Sequence, residues 1–196
     1  MKNVLLRAFL ALYFLLWLDK FALSAHSGFS RPKNGHSSEL LMTNPFMARA
    51  IELSIENVHS GRGGPFAAVI VRDNQIIVEA TNRVTSTNDP TAHAEVLAIR
   101  EACRKLGNFE LKDCDIYTTS EPCPMCIGAI YWSRLSHIYF ANTAEDAAKI
   151  GFDDSFIYRE LEHHHSKRHI PATQIMRDEA LAGFRAWAEK PNKVRY

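Results

Sequence analysis

Apolar positions along residues 42–196 repeat first at the spacing of a helix and then at the spacing of strands. A stripe at helical spacing predicts an opening helix that starts at Asn44-Pro45, with Pro45 at its first position. The stripe consists of Phe46, Ala50, Ile51, Ile55 and Val58. Two β-rich runs, 66–72 and 75–81, flank Asp73-Asn74 and predict a hairpin.

The rest of this stretch alternates between helices and short strands. Helices are predicted over 91–105, where Gly107 follows as a stop signal, and over 123–134. Short strands at 115–119 and 137–141 are separated by a helix, which implies a parallel crossover. A further helix, a C-terminal strand and a last helix follow. We therefore expect an α/β fold in three α/β/α layers around a mixed five-stranded sheet.

Two motifs thirty residues apart predict a metal site. His93-Ala94-Glu95 begins one predicted helix, and Pro122-Cys123-Pro124-Met125-Cys126 begins the next. His93, Cys123 and Cys126 supply one imidazole and two thiolates to a zinc ion, which takes four ligands, so one position stays open for water or substrate. A structural zinc site would have a fourth ligand at matching spacing, and neither Cys103 nor Cys114 belongs to a second CxxC. We expect one catalytic zinc ion per chain.

The position of these residues at helix starts favours the same chemistry. Helix N-termini stabilise anions, so Cys123 and Cys126 should ionise readily. Glu95 lies near the metal ligands and is the candidate acid and base that moves protons. A lone CxxC is also typical of a redox pair, and a lone HxE can occur by chance on a surface helix. Their combination favours zinc.

The first 41 residues differ from the rest of the chain. Lys2 and Arg7 precede an apolar run at 8–18, and small residues near Ala25 resemble a cleavage site, as in a signal peptide. The run is too short to span a membrane. Residues 27–39 are polar, like a linker. We expect a leader and linker at 1–41, or an over-extended start with translation beginning at Met42, and one zinc-binding domain at 42–196.

The cysteines and the charge indicate the compartment and the partners. Two thiolates suit a reducing cytosol, so a cytoplasmic protein is favoured, with export through residues 1–25 as the alternative. Residues 1–41 hold five basic and two acidic residues, so the net charge of +1 for the chain leaves −2 for the domain. Nucleic-acid binding needs a basic face. We therefore expect a small-molecule substrate, no nucleic acid, and no membrane contact of the folded domain.

Further motifs give the chain a family resemblance. They are Gly63-Gly64-Pro65-Phe66, Thr81-Asn82, the stretch 88–95, Ser120-Glu121-Pro122-Cys123 and, most discriminating, the block 151–158 with sequence GFDDSFIY. HxE followed by PCxxC is the pattern of zinc nucleobase deaminases. Over residues 42–196 the chain resembles the small bacterial guanine deaminases within the cytidine and deoxycytidylate deaminase superfamily. The leader is absent from that family.

The resemblance implies a cytidine-deaminase-like fold and hydrolysis of guanine to xanthine and ammonia, an amidine C–N cleavage in purine metabolism. It implies that Asp154 faces the substrate, that the Ala94 N–H and the Ser120 carbonyl hold the reacting groups, and that the chain forms a homodimer. In that dimer Tyr196 would enter the partner's site through a swapped C-terminal segment. Without the resemblance, Tyr196 is an ordinary chain terminus.

The residues themselves support some of these roles. Asn82 ends a predicted strand and offers a donor and an acceptor, enough to hold a purine edge, although turn residues of this kind are common there. Phe66 either stacks on a flat base or packs in the core. Asp153 and Asp154 are neighbours whose side chains should diverge, so at most one is expected to face the pocket, and both could lie in a solvated loop. The histidine run at 163–165 fits a solvated loop better than a metal site.

Three other functions stay open from the sequence. A guanosine deaminase would have the same motifs. A tRNA adenosine deaminase shares the zinc residues but should have a basic tail and a different block at 151–158. A catalytically silent zinc fold that acts as a binding module would have no need of Glu95.

Overall fold

The computed structural model describes residues 44–195. The strands are β1 (Ala67–Arg72), β2 (Gln75–Thr81), β3 (Cys114–Ser120) and β4 (His137–Asn142). The helices are α1 (Pro45–His59), α2 (Val84–Thr87), α3 (Ala94–Leu106), α4 (Pro124–Trp132), α5 (Ala144–Lys149), α6 (Ser155–Glu162) and α7 (Arg177–Glu189), with a 3₁₀ turn at His165–Lys167. The predicted leader and Tyr196 lie outside the described residues. None of the described helices is long and apolar enough to cross a membrane.

The strands form one mixed sheet in the order β2-β1-β3-β4. β1 runs antiparallel to both of its neighbours, and β4 runs parallel to β3. The predicted hairpin is present, because Asp73 and Asn74 adopt φ values of 50° and 59°. Positive φ at both central residues is the requirement of the tight turn that matches the twist of two paired strands. The predicted parallel crossover through α4 is confirmed.

Helices cover both faces of the sheet, as the three-layer prediction requires. One face of β1, with Ala67, Val69 and Val71, packs with Tyr117 against α1. The other face packs against α3 and α4. Its buried members include Ala68, Ile70, Val78, Ile116, Ala98, Ile99 and Ile130. Because both faces are covered, β1 is buried over five successive residues instead of alternating.

The sheet of the described residues has four strands, so the prediction of five was wrong. The expected C-terminal strand would lie ahead of α7, where residues 171–176 have no regular secondary structure and form no ladder in the described part of the chain. Pro171 has no N–H to give to a ladder. Ile170 and Ile175 on either side of it are 78% and 76% exposed. The final predicted helix does form, as α7.

Helix α1 begins as predicted but turns a different face to the sheet. Its N-cap is Asn44, whose side chain accepts hydrogen bonds from the N–H groups of Phe46 and Met47. The buried residues are Ala50, Leu53, Ser54 and Asn57. Three members of the predicted stripe, namely Ile51, Ile55 and Val58, are exposed instead. Small side chains let the helix lie close to the sheet, and apolar spacing alone does not report this.

Candidate metal centre and adjoining cavity

Three metal-ligating side chains meet where two helices begin. His93 is the N-cap residue of α3, Cys123 is the N-cap residue of α4, and Cys126 lies in the first turn of α4. His93 Nδ1 lies 3.6 Å from Cys123 Sγ and 3.5 Å from Cys126 Sγ, and the two sulfur atoms are 3.6 Å apart. Neither cap residue makes a side-chain capping hydrogen bond. Both are therefore available to a metal ion between the helices.

These distances fit a single zinc ion. Tetrahedral zinc takes sulfur at about 2.3 Å and imidazole nitrogen at about 2.0–2.1 Å, which sets neighbouring ligand atoms about 3.6–3.8 Å apart. The three observed separations are within about 0.2 Å of that requirement. The residues that the structure describes contain one such group, and it supplies three ligands. Three protein ligands are typical of a catalytic zinc site, which keeps its fourth position open.

The two thiols differ in how readily they ionise without metal. The hydrogen bond between the two thiol groups, assisted by the nearby His93, lowers the pKa of Cys123 to about 4. The same hydrogen bond, together with burial, raises the pKa of Cys126. The hydrogen bond with Cys123 also raises the pKa of His93. Because zinc binds thiolates and neutral imidazole, its binding must release the protons that this cluster holds.

Glu95 is the second residue of α3 and is buried. It is 6% exposed, and this burial raises the pKa of its carboxyl group. Thr118 on β3 donates a hydrogen bond from Oγ1 to Glu95 Oε1 over 3.2 Å. A carboxyl group with a raised pKa both accepts and returns protons near neutral pH more effectively than an ordinary one. Its position beside the metal ligands fits that role.

A cavity of about 350 Å³ opens beside the metal ligands. This volume is in the range of small-molecule sites, about 300–1,000 Å³. Residues from the 63–66 loop, α2, the starts of α3 and α4, α5 and α6 line it. They are Gly64, Phe66, Asn82, Val84, Thr85, His93, Glu95, Ser120, Glu121, Cys123, Ala144, Ala147, Phe152, Asp153, Asp154, Phe156 and Ile157.

One wall of the cavity is aromatic. The rings of Phe66 and Phe152 meet edge to face, with centroids 4.9 Å apart and planes at 88°. Gly64 lies against both rings, because a Cβ atom there would come within 3.2 Å of Phe66 and 3.5 Å of Phe152. Phe66 therefore combines the two roles left open by the sequence, since it packs against another ring and also lines the cavity.

Asn82 is held by hydrogen bonds of both its backbone and its side chain. Its backbone N–H donates to the Phe66 carbonyl over 2.9 Å, and its side-chain Oδ1 accepts from the Val84 N–H over 3.2 Å. The residue is 7% exposed and lines the cavity. Because Oδ1 is engaged with the backbone, the amide Nδ2 is the group left to donate to a ligand.

The two adjacent aspartates both line the cavity, so the expectation that only one would reach it was wrong. They are not equivalent. Asp153 Oδ1 accepts a hydrogen bond from the Ser155 N–H over 2.9 Å, which lowers the pKa of Asp153. Burial, followed by the nearby Cys123, raises the pKa of Asp154. The Asp153 side chain thus holds the first N–H group of α6, whereas the side chain of Asp154, the N-cap residue, makes no capping hydrogen bond.

This chain is similar to known proteins of one family. The cytidine and deoxycytidylate deaminase zinc-binding region matches residues 42–142. A guanine deaminase of Bacillus subtilis is 53% identical over 151 residues, which are 77% of this chain and 97% of that protein. This chain belongs to the zinc-dependent cytidine and deoxycytidylate deaminase family. An X-ray structure of guanine deaminase from Bacillus subtilis gives a TM-score of 0.76 at 52% identity, over 78% of this chain and 98% of that one.

Other members of the deaminase family match a shorter part of the chain. A tRNA-specific adenosine deaminase of Aquifex aeolicus is 48% identical over 77 residues, which are 39% of this chain and 51% of that protein. The percentage identity is similar to that with guanine deaminase, but the matched region is about half as long. The family resemblance predicted from the motifs is confirmed. The similarity to guanine deaminase covers more of this chain than the similarity to the tRNA-specific adenosine deaminase.

The deaminase site contains most of the residues predicted to touch a substrate. Phe66, Asn82, Ser120 and Asp154 line the cavity. Ala94 is absent from the described lining residues, and its methyl group lies in the core, while its N–H belongs to the open start of α3. The remaining candidate, Tyr196, lies outside the described residues.

Sequence reasoning missed several residues around the deaminase site. Val84, Phe152 and Phe156 line the cavity, Thr118 bonds to Glu95, and Asn57 lies behind Asn82. The family block 151–158 already contained two of these aromatic residues, whereas Thr118 and Asn57 carry no motif. The run at 163–165 is exposed, as expected of a solvated loop.

Proposed function

We propose that this deaminase hydrolyses guanine to xanthine and ammonia. One combined observation carries the proposal. The similarity to guanine deaminase extends over 97% of that protein, and the zinc ligands His93 and Cys123 line one cavity of small-molecule size together with Glu95 and Asp154. A flat base fits beside the aromatic wall formed by Phe66 and Phe152.

The residues divide the chemistry between them. His93, Cys123 and Cys126 would hold the zinc ion, which would supply the Lewis acidity that makes water a nucleophile near neutral pH. Glu95 takes a proton from the water that attacks C2 of guanine. It passes this proton to N3, then takes the second proton of the water from the new C2 hydroxyl group and delivers it to the amino group, which leaves as ammonia. The water oxygen remains as the C2 carbonyl oxygen of xanthine. The Ala94 N–H and the Ser120 carbonyl hold the attacking oxygen and the leaving amine.

Asp154 and Asn82 orient the base. As a carboxylate, Asp154 accepts from N1–H and from the exocyclic amine, which lie side by side on guanine. Adenine has an unprotonated N1 that would face the same carboxylate, so a site of this kind rejects it. Asn82 Nδ2 donates to an acceptor elsewhere on the purine, because the side-chain oxygen is bonded to Val84.

A second chain completes the site. Every described residue of α7 is outside the core, and Ile175 and Phe184 are each 76% exposed. Monomers rarely leave such apolar side chains in water along a whole segment. In a homodimer with a swapped C-terminal segment these residues are covered by the partner, and Tyr196 reaches the partner's cavity.

The proposed domain is 42–196. Its two thiolate ligands suit the reducing cytoplasm, with export through residues 1–25 as the alternative.

Ammonia release from a panel of free bases and nucleosides tests the proposed function. The panel contains guanine, guanosine, adenine, cytosine and cytidine, and Glu95→Gln protein prepared in parallel corrects for contaminating enzymes. We expect guanine to have the largest kcat/KM of the five. Preference for guanosine would move the assignment to the nucleoside, and preference for adenine or a cytosine compound would overturn it.

A further inference from the structure

A closed ring of hydrogen bonds lies behind the cavity wall that carries Phe66 and Asn82. Asn57 Nδ2 donates to the carbonyl oxygens of Gly64 and Asn82, each over 2.9 Å. The Phe66 N–H donates to the Gly64 carbonyl over 2.8 Å, and the Asn82 N–H donates to the Phe66 carbonyl over 2.9 Å. The ring thus connects α1, the 63–66 loop and the end of β2. Asn57 contributes the one side chain in it.

Asn57 is an unusual residue for its position in α1. It is fully buried, and its Oδ1 atom has no hydrogen-bond partner among the described residues. A buried acceptor without a partner costs folding free energy, so a residue that served packing alone would be apolar here. The two carbonyl contacts of Nδ2 are what an asparagine supplies and an apolar residue does not.

The 63–66 loop packs directly against the backbone of Asn82. A Cβ atom at Gly63 would come within 2.1 Å of the Asn82 carbonyl oxygen, a distance that no side chain tolerates. The same carbonyl oxygen accepts from Asn57, while the Asn82 side chain accepts from Val84. Asn82 is therefore fixed at its N–H, its C=O and its side chain, and each of these contacts comes from a different part of the chain.

We propose that Asn57 is a positioning residue for recognition of the base. Through its two carbonyl contacts it sets the separation of the loop bearing Phe66 from the strand end bearing Asn82. Asn57 does not line the cavity and is not among the contacts of His93, Glu95 or the two cysteines. Its loss should weaken binding of the base and leave the zinc site in place. The choice of guanine as the ligand rests on the proposed function.

The first test compares kinetics of Asn57→Ala and Asn44→Ala. Asn44 caps the other end of the same helix, so its loss also lowers stability but does not touch the cavity. We expect KM for guanine to rise on the order of 10- to 100-fold in Asn57→Ala, because displacements of about 1 Å in a site have effects of that size. Its kcat should stay within about threefold and its zinc content at one per chain. Asn44→Ala should keep the KM of the unmodified protein.

A second, milder variant keeps the test valid if Asn57→Ala does not fold. Asn57→Asp keeps the shape of the side chain and, when protonated, offers one donor in place of two. Its KM should lie between those of the unmodified protein and Asn57→Ala, and it carries the test alone if Asn57→Ala does not fold. A KM unchanged in a folded Asn57 variant, or a loss of activity that follows loss of zinc, would overturn the proposal.

Hydrogen exchange separates this proposal from the assignment of guanine. In the Asn57 variants the amides of Phe66, Asn82 and Val84 should exchange faster, whereas Asn44→Ala should affect Phe46 and Met47. This readout needs no substrate, so it stands even if the unmodified protein turns over another base. Unchanged exchange at 66 and 82 in the Asn57 variants would show that the ring does not hold the cavity wall.

Discussion

Residues before and after position 150 build the same cavity in opposite ways. The zinc ligands, Glu95 and Asn82 project from a sheet and helices whose core is fully buried. From residue 151 to 195 no described residue is buried, although Asp154, Phe156 and Ile157 line the cavity. The proposed chemistry thus rests on a buried frame, while the proposed contact of Asp154 with the base comes from a segment without buried residues. Changes to the zinc ligands or Glu95 in the first region should abolish the reaction, and changes to Asp154 in the second should alter what is bound.

Loss of a zinc ligand should have the largest effect of any single change to the buried frame. Cys123→Ala removes one of three protein ligands, and metal binding is coupled to folding, so zinc, activity and thermal stability should all fall. Metal analysis, ammonia release and thermal unfolding measure the three. Cys103→Ala is the control, because that thiol contacts the Phe109 carbonyl and no metal ligand. Full activity in Cys123→Ala would remove zinc from the mechanism.

Glu95→Gln should separate chemistry from binding within the frame. The amide keeps the volume and accepts from Thr118 but moves no protons, so kcat should fall by a factor on the order of 10² to 10⁴. Zinc content and KM should change little. Glu101→Gln on the exposed side of the same helix, where Glu101 pairs with Arg104, is the matched control. Near-normal turnover in Glu95→Gln would mean that another group carries the protons.

The two aspartates test base selection in the exposed region. Asp154→Asn removes a charge and one acceptor from the cavity, so guanine kcat/KM should fall strongly, by up to about 10⁴ if both contacts are lost. Asp153→Asn keeps an oxygen that can accept from the Ser155 N–H and should lose much less. Zinc content should be normal in both. Equal losses at the two positions would place base selection elsewhere.

Removal of residues 177–196 should have the smallest effect on activity among these changes. The shortened protein keeps the whole sheet and all zinc ligands, so it should fold and bind one zinc per chain. It should sediment as a monomer and lose part of its guanine activity, because α7 and Tyr196 are proposed to complete the partner's site. A shortened protein that stays dimeric and fully active would contradict the swapped arrangement.

Local signals accounted for the parts of the site that could be predicted. Two of the metal ligands are themselves helix N-cap residues, so His93 and Cys123 at helix starts could be placed from spacing alone. The hairpin at Asp73-Asn74 and the helix stop at Gly107 depend on the backbone of one or two residues and were also correct.

Contacts between distant segments could not be predicted in this way. The buried face of α1 depends on how closely the helix approaches the sheet, which favours Ala50 and Ser54 over Ile51 and Ile55. Asn57 acts on Asn82, 25 residues away, and Thr118 acts on Glu95, 23 residues away. The missing fifth strand is a similar case, since an extended segment becomes a strand only where a sheet edge accepts it.

Zinc titration of metal-free protein tests the central claim most directly. The protein is stripped with a chelator, and ammonia release from guanine is followed as zinc is returned in known amounts. Activity should be absent at first, rise in proportion to added zinc and level off at one zinc per chain, as three ligands at a single site require. Full guanine deamination without metal, or zinc-saturated protein that releases no ammonia from guanine, would contradict a zinc-dependent guanine deaminase.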